Sequence, residues 1–190
     1  GSVTTVPQGA VWVSGFSTAP NGPRNVLMMQ TDLNGLPVWA KNYDLVGGWE
    51  YATHFELAAN NKLVVTGVAE VNAPTQGPAT ANCLLMRVDA TTGTPDWSRV
   101  FTNSPYASIG NRVEVTASDE YFITGESIDL AIPQIAGDIL AIRTDAQGLL
   151  NSPNCYHDVQ FHDFIKVPVT SSPSLGSIAI GQVDNLTAIM

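Results

Sequence analysis

Charge is scarce in this chain, and positive charge scarcer still: 8 Lys and Arg stand against 17 Asp and Glu, and 13% of residues are charged. The basic residues are scattered, so the electrostatic footprint of a nucleic-acid binder is missing and no nucleic-acid partner is expected. Long apolar runs are missing too. None approaches the roughly 18 to 20 residues of a membrane-spanning helix, and no n-region and h-region of a signal peptide opens the sequence, so a soluble chain without a membrane span is expected. Cysteine is limited to Cys83 and Cys155, 72 residues apart and without C-x-x-C spacing, which leaves a zinc site without support. Two positions leave open both a disulfide and two unpaired, half-buried thiols, and the compartment does not follow from them. No stretch sustains a helical period, and no G-x-S-x-G or similar nucleophile elbow occurs.

What is present suits strands. The 190 residues are 44% hydrophobic, enough for a real core. Val, Ile and aromatic residues come in short bursts separated by Thr, Ser, Asn, Gly and Pro, the residues of turns. The fold class expected is all-β.

The chain also repeats. A strand ending in a small residue and Gly recurs as Trp12-Val13-Ser14-Gly15, Val64-Val65-Thr66-Gly67, Phe122-Ile123-Thr124-Gly125 and Ile178-Ala179-Ile180-Gly181, with the glycines 52, 58 and 56 residues apart. Twelve residues before each Gly stands an apolar residue, Val3, Phe55, Val113 or Val169, opening an alternating stretch. Turn residues lie between the two landmarks: Pro7-Gln8-Gly9, Asn60-Asn61, Ser118-Asp119-Glu120 and Pro173-Ser174-Leu175-Gly176. Each copy therefore opens with a hairpin of strands A and B. A third strand, C, runs into Asp32, Asp89 or Asp145 and is followed by Gly35, Gly93 or Gly148, in which the Asp caps a turn and the Gly supplies a positive φ. A fourth strand, D, starts at Trp39 and at Trp97.

Four short strands in about 56 residues make the unit of a β-propeller, and the nearly continuous apolar runs of the middle strands are those of sheets covered on both faces. The stretch Leu84-Leu-Met-Arg-Val-Asp-Ala-Thr-Thr-Gly-Thr-Pro-Asp-Trp97 resembles the blade repeat of quinoprotein-like β-propellers. With its Thr-Gly at the end of strand B, the wider pattern is similar to repeats in large secreted and cell-surface proteins of Bacteroidota-like bacteria. The third copy departs from it, with Ser152-Pro153-Asn154-Cys155-Tyr156-His157 in place of the Trp segment. The expected architecture is a partial propeller of about 3.5 blades, with repeats near 3–50, 51–107 and 108–162 and a half repeat at 163–190. Such a count does not close a ring, so the chain is either a portion of a longer propeller or is completed by a partner, a homodimer included.

Candidate sites are few. Asp32, Asp89 and Asp145 each offer one carboxylate, too few for calcium, which takes six to eight oxygens, so they are read as turn caps. His157-Asp158 and His162-Asp163 lie five residues apart, a spacing that puts the histidines on opposite faces of a strand, and they are read as surface residues. His54 is read as a structural histidine, and Trp39, Trp97, Tyr43 and Phe101 as packing between blades. No metal and no cofactor is expected. Propellers of the resembled kind bind ligands on the face made by the B–C and D–A loops. The candidates on the D–A segments are Trp49, Glu50 and Tyr51, then Tyr106, then His162 and Asp163.

The resemblance implies a non-enzymatic binding or structural module, secreted, at the cell surface or periplasmic, that presents these loops to protein or glycan partners. One alternative is part of a quinone-dependent dehydrogenase, whose adjacent cysteine pair and acidic calcium cluster are not found here. Another is a propeller hydrolase or lyase.

Overall fold

A computed structural model of the chain describes residues 3–6, 10–18, 24–45, 48–70, 81–102, 106–129, 137–150 and 160–163. These residues form strands and turns with no α-helix. The first sheet is an antiparallel meander of β1 (Val3–Val6), β2 (Ala10–Thr18), β3 (Arg24–Asp32) and β4 (Pro37–Tyr43). The second runs β5 (Glu50–Ala58), β6 (Lys62–Glu70), β7 (Ala81–Asp89) and β8 (Pro95–Thr102). The third holds β9 (Tyr106–Val115), β10 (Tyr121–Asp129) and β11 (Gly137–Thr144). The all-β expectation is thus met, as three antiparallel sheets that do not close on themselves.

Turn chemistry explains the meander. Asn60 and Asn61 take φ of 57° and 58°, the two left-handed residues of a tight hairpin between β5 and β6. Asp32 Oδ1 accepts the Asn34 and Leu36 N–H groups, both at 2.8 Å, and Asp145 Oδ1 accepts those of Gln147 and Leu149 at 2.9 and 2.8 Å. Asp89 Oδ1 takes the N–H groups of Thr91 and Thr92 at 3.0 and 2.9 Å. The three repeated aspartates are therefore turn caps, as the spacing predicts. Asp32 and Asp89 sit below the usual carboxylate range, chiefly because of the bonds from the Leu36 and Thr92 N–H groups respectively.

The Gly at the end of strand B has a steric reason in the second and third sheets, whereas a Cβ on Gly15 in the first would meet nothing within 4 Å. A Cβ on Gly67 would lie 2.0 Å from the Tyr51 carbonyl oxygen, and one on Gly125 would lie 1.8 Å from that of Ile109. Both glycines face the point where strand A slips register, between Ala52 and His54 in one pair and opposite Thr124/Gly125 in the other. A bulged backbone approaches too closely there for any side chain.

The sheets stack face to face. Strands β2 and β3 pack on β5, and β5, β6 and β7 pack on β9. One core layer holds Trp12, Val26, Met28, Phe55, Leu63, Val65, Leu84 and Met86 between the first and second sheets. The other holds Val64, Cys83, Leu85, Phe101, Val113, Tyr121 and Ile123 between the second and third. Neighbours along β6 and β7 thus alternate between layers, which is why these strands read as unbroken apolar runs. Each such side chain contributes about 1.5–3 kcal/mol when fully removed from water.

The packing repeats with the sequence. The turn glycine after strand C of one sheet lies on the strand-D Trp of the preceding sheet: a Cβ on Gly93 would meet the Trp39 ring at 2.9 Å, and one on Gly148 the Trp97 ring at 2.7 Å. Tyr43 and Phe101, each 1% exposed, fill the same layers, in keeping with the packing role expected of these aromatics.

Three details differ from the sequence reading. Strand A starts at Glu50 and Tyr106, ahead of Phe55 and Val113, because the pairing continues past the bulge. The third sheet has three strands among the described residues; the Ser152–His157 segment, His157-Asp158 and the half repeat from Val169 lie outside them. Residues 160–163, placed by the repeat in a connection, form β12 (Gln160–Asp163) and pair antiparallel with β8. This covers the N–H and C=O groups that β8 would otherwise present at an open edge.

Candidate functional site

The meander gives each sheet two ends. At one, the A–B and C–D turns are tight. At the other, the longer B–C and D–A connections begin, and the candidate residues can be placed against it. Trp49 immediately precedes β5, and its carbonyl accepts the Glu70 N–H at 2.9 Å, which ties it to the last residue of β6. A Cβ on the neighbouring Gly48 would lie 2.1 Å from the Glu70 carbonyl oxygen, so only glycine lets the chain pass this close.

Trp49 does not stand alone. The Arg24 guanidinium, at the first residue of β3, lies 4.6 Å from the centroid of the Phe16 ring and 4.8 Å from that of Trp49. Both rings are about half exposed, Phe16 at 49% and Trp49 at 48%. The cation is thus held between two aromatic rings from different sheets, and among the described residues no carboxylate comes within ion-pair distance of it. Tyr51, two residues into β5, is partly buried; burial, reinforced by the charge of Glu70 and opposed by Arg24, raises its pKa. Burial also raises that of Glu70, with Arg24 acting against it.

The six candidates are therefore not one constellation. Trp49 and Tyr51 come together with Phe16, Arg24 and Glu70 at the junction of the first two sheets. Glu50, which looked exposed in the sequence, is 0% exposed within β5. It opens β5, the strand of the second sheet on which the first and third sheets pack, and its backbone pairs with Ala69. Tyr106 opens β9 at the same end of the third sheet. His162 and Asp163 lie on β12, opposite Val100 and Arg99, at the outer edge of the second sheet. Phe16 and Arg24 were missed because neither belongs to the repeat. Their signal was a large aromatic directly after Gly15 and one of only 8 basic residues at the start of strand C.

The opposite end is a closed network. Arg87 Nε donates to Asp96 at 3.0 Å, while its Nη1 donates to the Tyr121 hydroxyl at 3.1 Å and the Ala146 carbonyl at 3.0 Å. Lys62 Nζ bridges Asp89 and Asp96 at 3.3 and 3.1 Å. The arrangement is structural: its donors already have partners, and it joins the second sheet to the third.

His54 is structural as well. Its Nδ1 accepts the Val113 N–H at 3.4 Å, and Glu56 Oε2 accepts the Val115 N–H at 2.7 Å, so two side chains of β5 cap the free edge of β9. Burial lowers the His54 pKa and raises that of Glu56. Cys83 is a free thiol, wholly buried rather than half-buried, with its pKa pushed up to about 12 by burial, so it is not a nucleophile; Cys155 lies outside the described residues. Among the described residues no group of His, Cys, Asp and Glu is arranged to hold a metal ion, and no helix is long and apolar enough to cross a membrane.

What this site offers chemically is an aromatic platform around a cation, with a phenol and a carboxyl beside it. That is a surface for stacking and hydrogen bonding. No protein-family model matches the chain, and no curated protein matches it either.

Proposed function

We propose that the chain is part of a β-propeller that acts as a non-enzymatic binding module, recognising a glycan or protein partner at its B–C and D–A loop end. The observation that carries the binding reading is the Arg24 guanidinium held between the half-exposed rings of Phe16 and Trp49. Exposed aromatic faces beside a cation suit the apolar face of a sugar ring or the side chains of a protein surface, and the stack leaves the edge donors of the guanidinium for a ligand's oxygens.

Support for the propeller comes from the equivalence of successive interfaces. The same repeat positions, Trp39 with Gly93 and then Trp97 with Gly148, meet at both sheet junctions, as they do when one rotation relates consecutive blades. Similarity of the repeat to blades of secreted and cell-surface bacterial proteins supports a place outside the cytoplasm.

The test is a glycan array, together with pull-down from an extracellular protein fraction, comparing the wild type with Trp49→Ala and Arg24→Ala. A ligand held at the stack loses at least tenfold in affinity in both variants. Binding that survives both unchanged places recognition elsewhere and refutes the reading.

A further inference from the structure

Aligned on the repeat, each sheet has a forward face that meets the next sheet and a rearward face that meets the previous one. Forward positions three before the strand-B Gly and six and four before the strand-C Asp are Trp12, Val26 and Met28 in the first sheet, and Val64, Cys83 and Leu85 in the second. All six are at most 2% exposed. In the third sheet the same positions are Phe122, Ile139 and Ala141, with Phe122 40% and Ile139 88% exposed and Ala141 exposed as well. The forward face of the third sheet is built for a neighbour and bare among the described residues.

The first sheet carries the converse. Rearward positions five and three before the strand-C Asp are Leu84 and Met86 in the second sheet, both 0% exposed. Leu27 and Met29 occupy them in the first sheet, the same residue types, yet both are only half-buried. The first and third sheets thus carry the two complementary halves of an interface that the chain already makes twice within itself.

We propose that these halves meet between molecules: the Phe122–Ile139–Ala141 face of one copy docks on the Leu27–Met29 face of a second copy, head to tail. The half repeat of the same chain is disfavoured as occupant by its reach. β12 holds Asp163 beside β8, at the outer edge of the second sheet. The six residues from there to Val169 span about 21 Å. The innermost strand position of a sheet after the third lies four strand spacings and two sheet spacings away, about 28 Å. A second copy brings a ready-made rearward face with no such constraint. The contact itself rests on the observed stacking alone, whereas closure of a ring through it rests on the propeller reading above.

The experiment is sedimentation velocity on the full chain from low micromolar to submillimolar concentration, with Ile139→Asp, Leu27→Lys and an equimolar mixture of the two. Ile139 is exposed, so its substitution leaves the fold intact, and a lysine stem at position 27 keeps its methylenes on the sheet; near-UV circular dichroism checks both. The wild type is expected to associate, and each variant to dissociate about a hundredfold more readily. The mixture is expected to reassociate, because it contains one unsubstituted interface. A wild type that stays monomeric throughout, association indifferent to Ile139→Asp, or a mixture no better than its components overturns the proposal. Open-ended growth beyond a dimer would instead count against ring closure, and so against the propeller reading, while leaving the contact standing.

Discussion

The two ends of these sheets use their charged and aromatic residues in opposite ways. At the turn end Arg87 spends its donors on Asp96, Tyr121 and Ala146, and Lys62 bridges two aspartates, so the charges serve the junction between sheets. At the loop end Arg24 stacks on Phe16 and Trp49, with no ion pair among the described residues and with both rings half open to water. Residues satisfied from within hold a scaffold together; residues left with open faces and donors are what a scaffold presents.

If that contrast is right, substitutions at the turn end damage stability and those at the loop end damage recognition. The largest loss is expected for Gly148→Val. Its φ of 74° and its contact with the Trp97 ring combine backbone strain with overpacking, about 3–4 kcal/mol in a urea unfolding curve. Arg87→Ala follows, at about 2–3 kcal/mol, because it strips partners from Asp96, Tyr121 and Ala146 at once. At the loop end a double-mutant cycle on Arg24 and Trp49 should return a coupling of only about 0.5–1 kcal/mol. A coupling as large as the Arg87 effect would make the stack a structural element and erase the contrast.

The smallest effect is one of pH. The folded pKa of His54 is below its ordinary value of 6.5, so folding favours the neutral imidazole that accepts the Val113 N–H. Its contribution is complete above about pH 6.5 and is lost as pH falls through that value toward the folded pKa. Glu56 runs the other way: raised by burial, it contributes most below its ordinary 4.5 and loses that contribution as pH rises through its folded pKa. Comparing wild type with His54→Gln between about pH 7.5 and about pH 5 isolates the histidine, since the amide still offers an acceptor but does not titrate. A wild type that loses no more stability than the variant over this range would remove His54 from the account.

How far the sequence revealed all this follows from which forces are local. The Asp caps and turn glycines were legible because a turn of this kind is decided by a few adjacent residues, whereas the strand-B glycines served only as landmarks of the repeat and the close backbone approach at Gly67 and Gly125 became visible with their partners. Burial on both faces was legible from the apolar runs of β6 and β7. The start of β5 was not, because the bulge at Ala52–His54 breaks the alternation that would have extended the strand to Glu50. The Arg24 stack was hidden for a different reason: Phe16, Arg24 and Trp49 meet only because two sheets pack, and no spacing along the chain encodes that meeting. The pairing of β12 with β8 is likewise a choice of edge, which repeat counting assigned to a connection.

The most direct test of the stacked repeat is thiol labelling at three equivalent forward positions, Met28→Cys, Leu85→Cys and Ala141→Cys, in dilute protein whose own cysteines are replaced by serine. Positions 28 and 85 should resist labelling until the protein unfolds, while position 141 should label at the rate of an exposed thiol. Equal, rapid labelling at all three would mean that the sheets do not cover one another, and the account built on their stacking would fall.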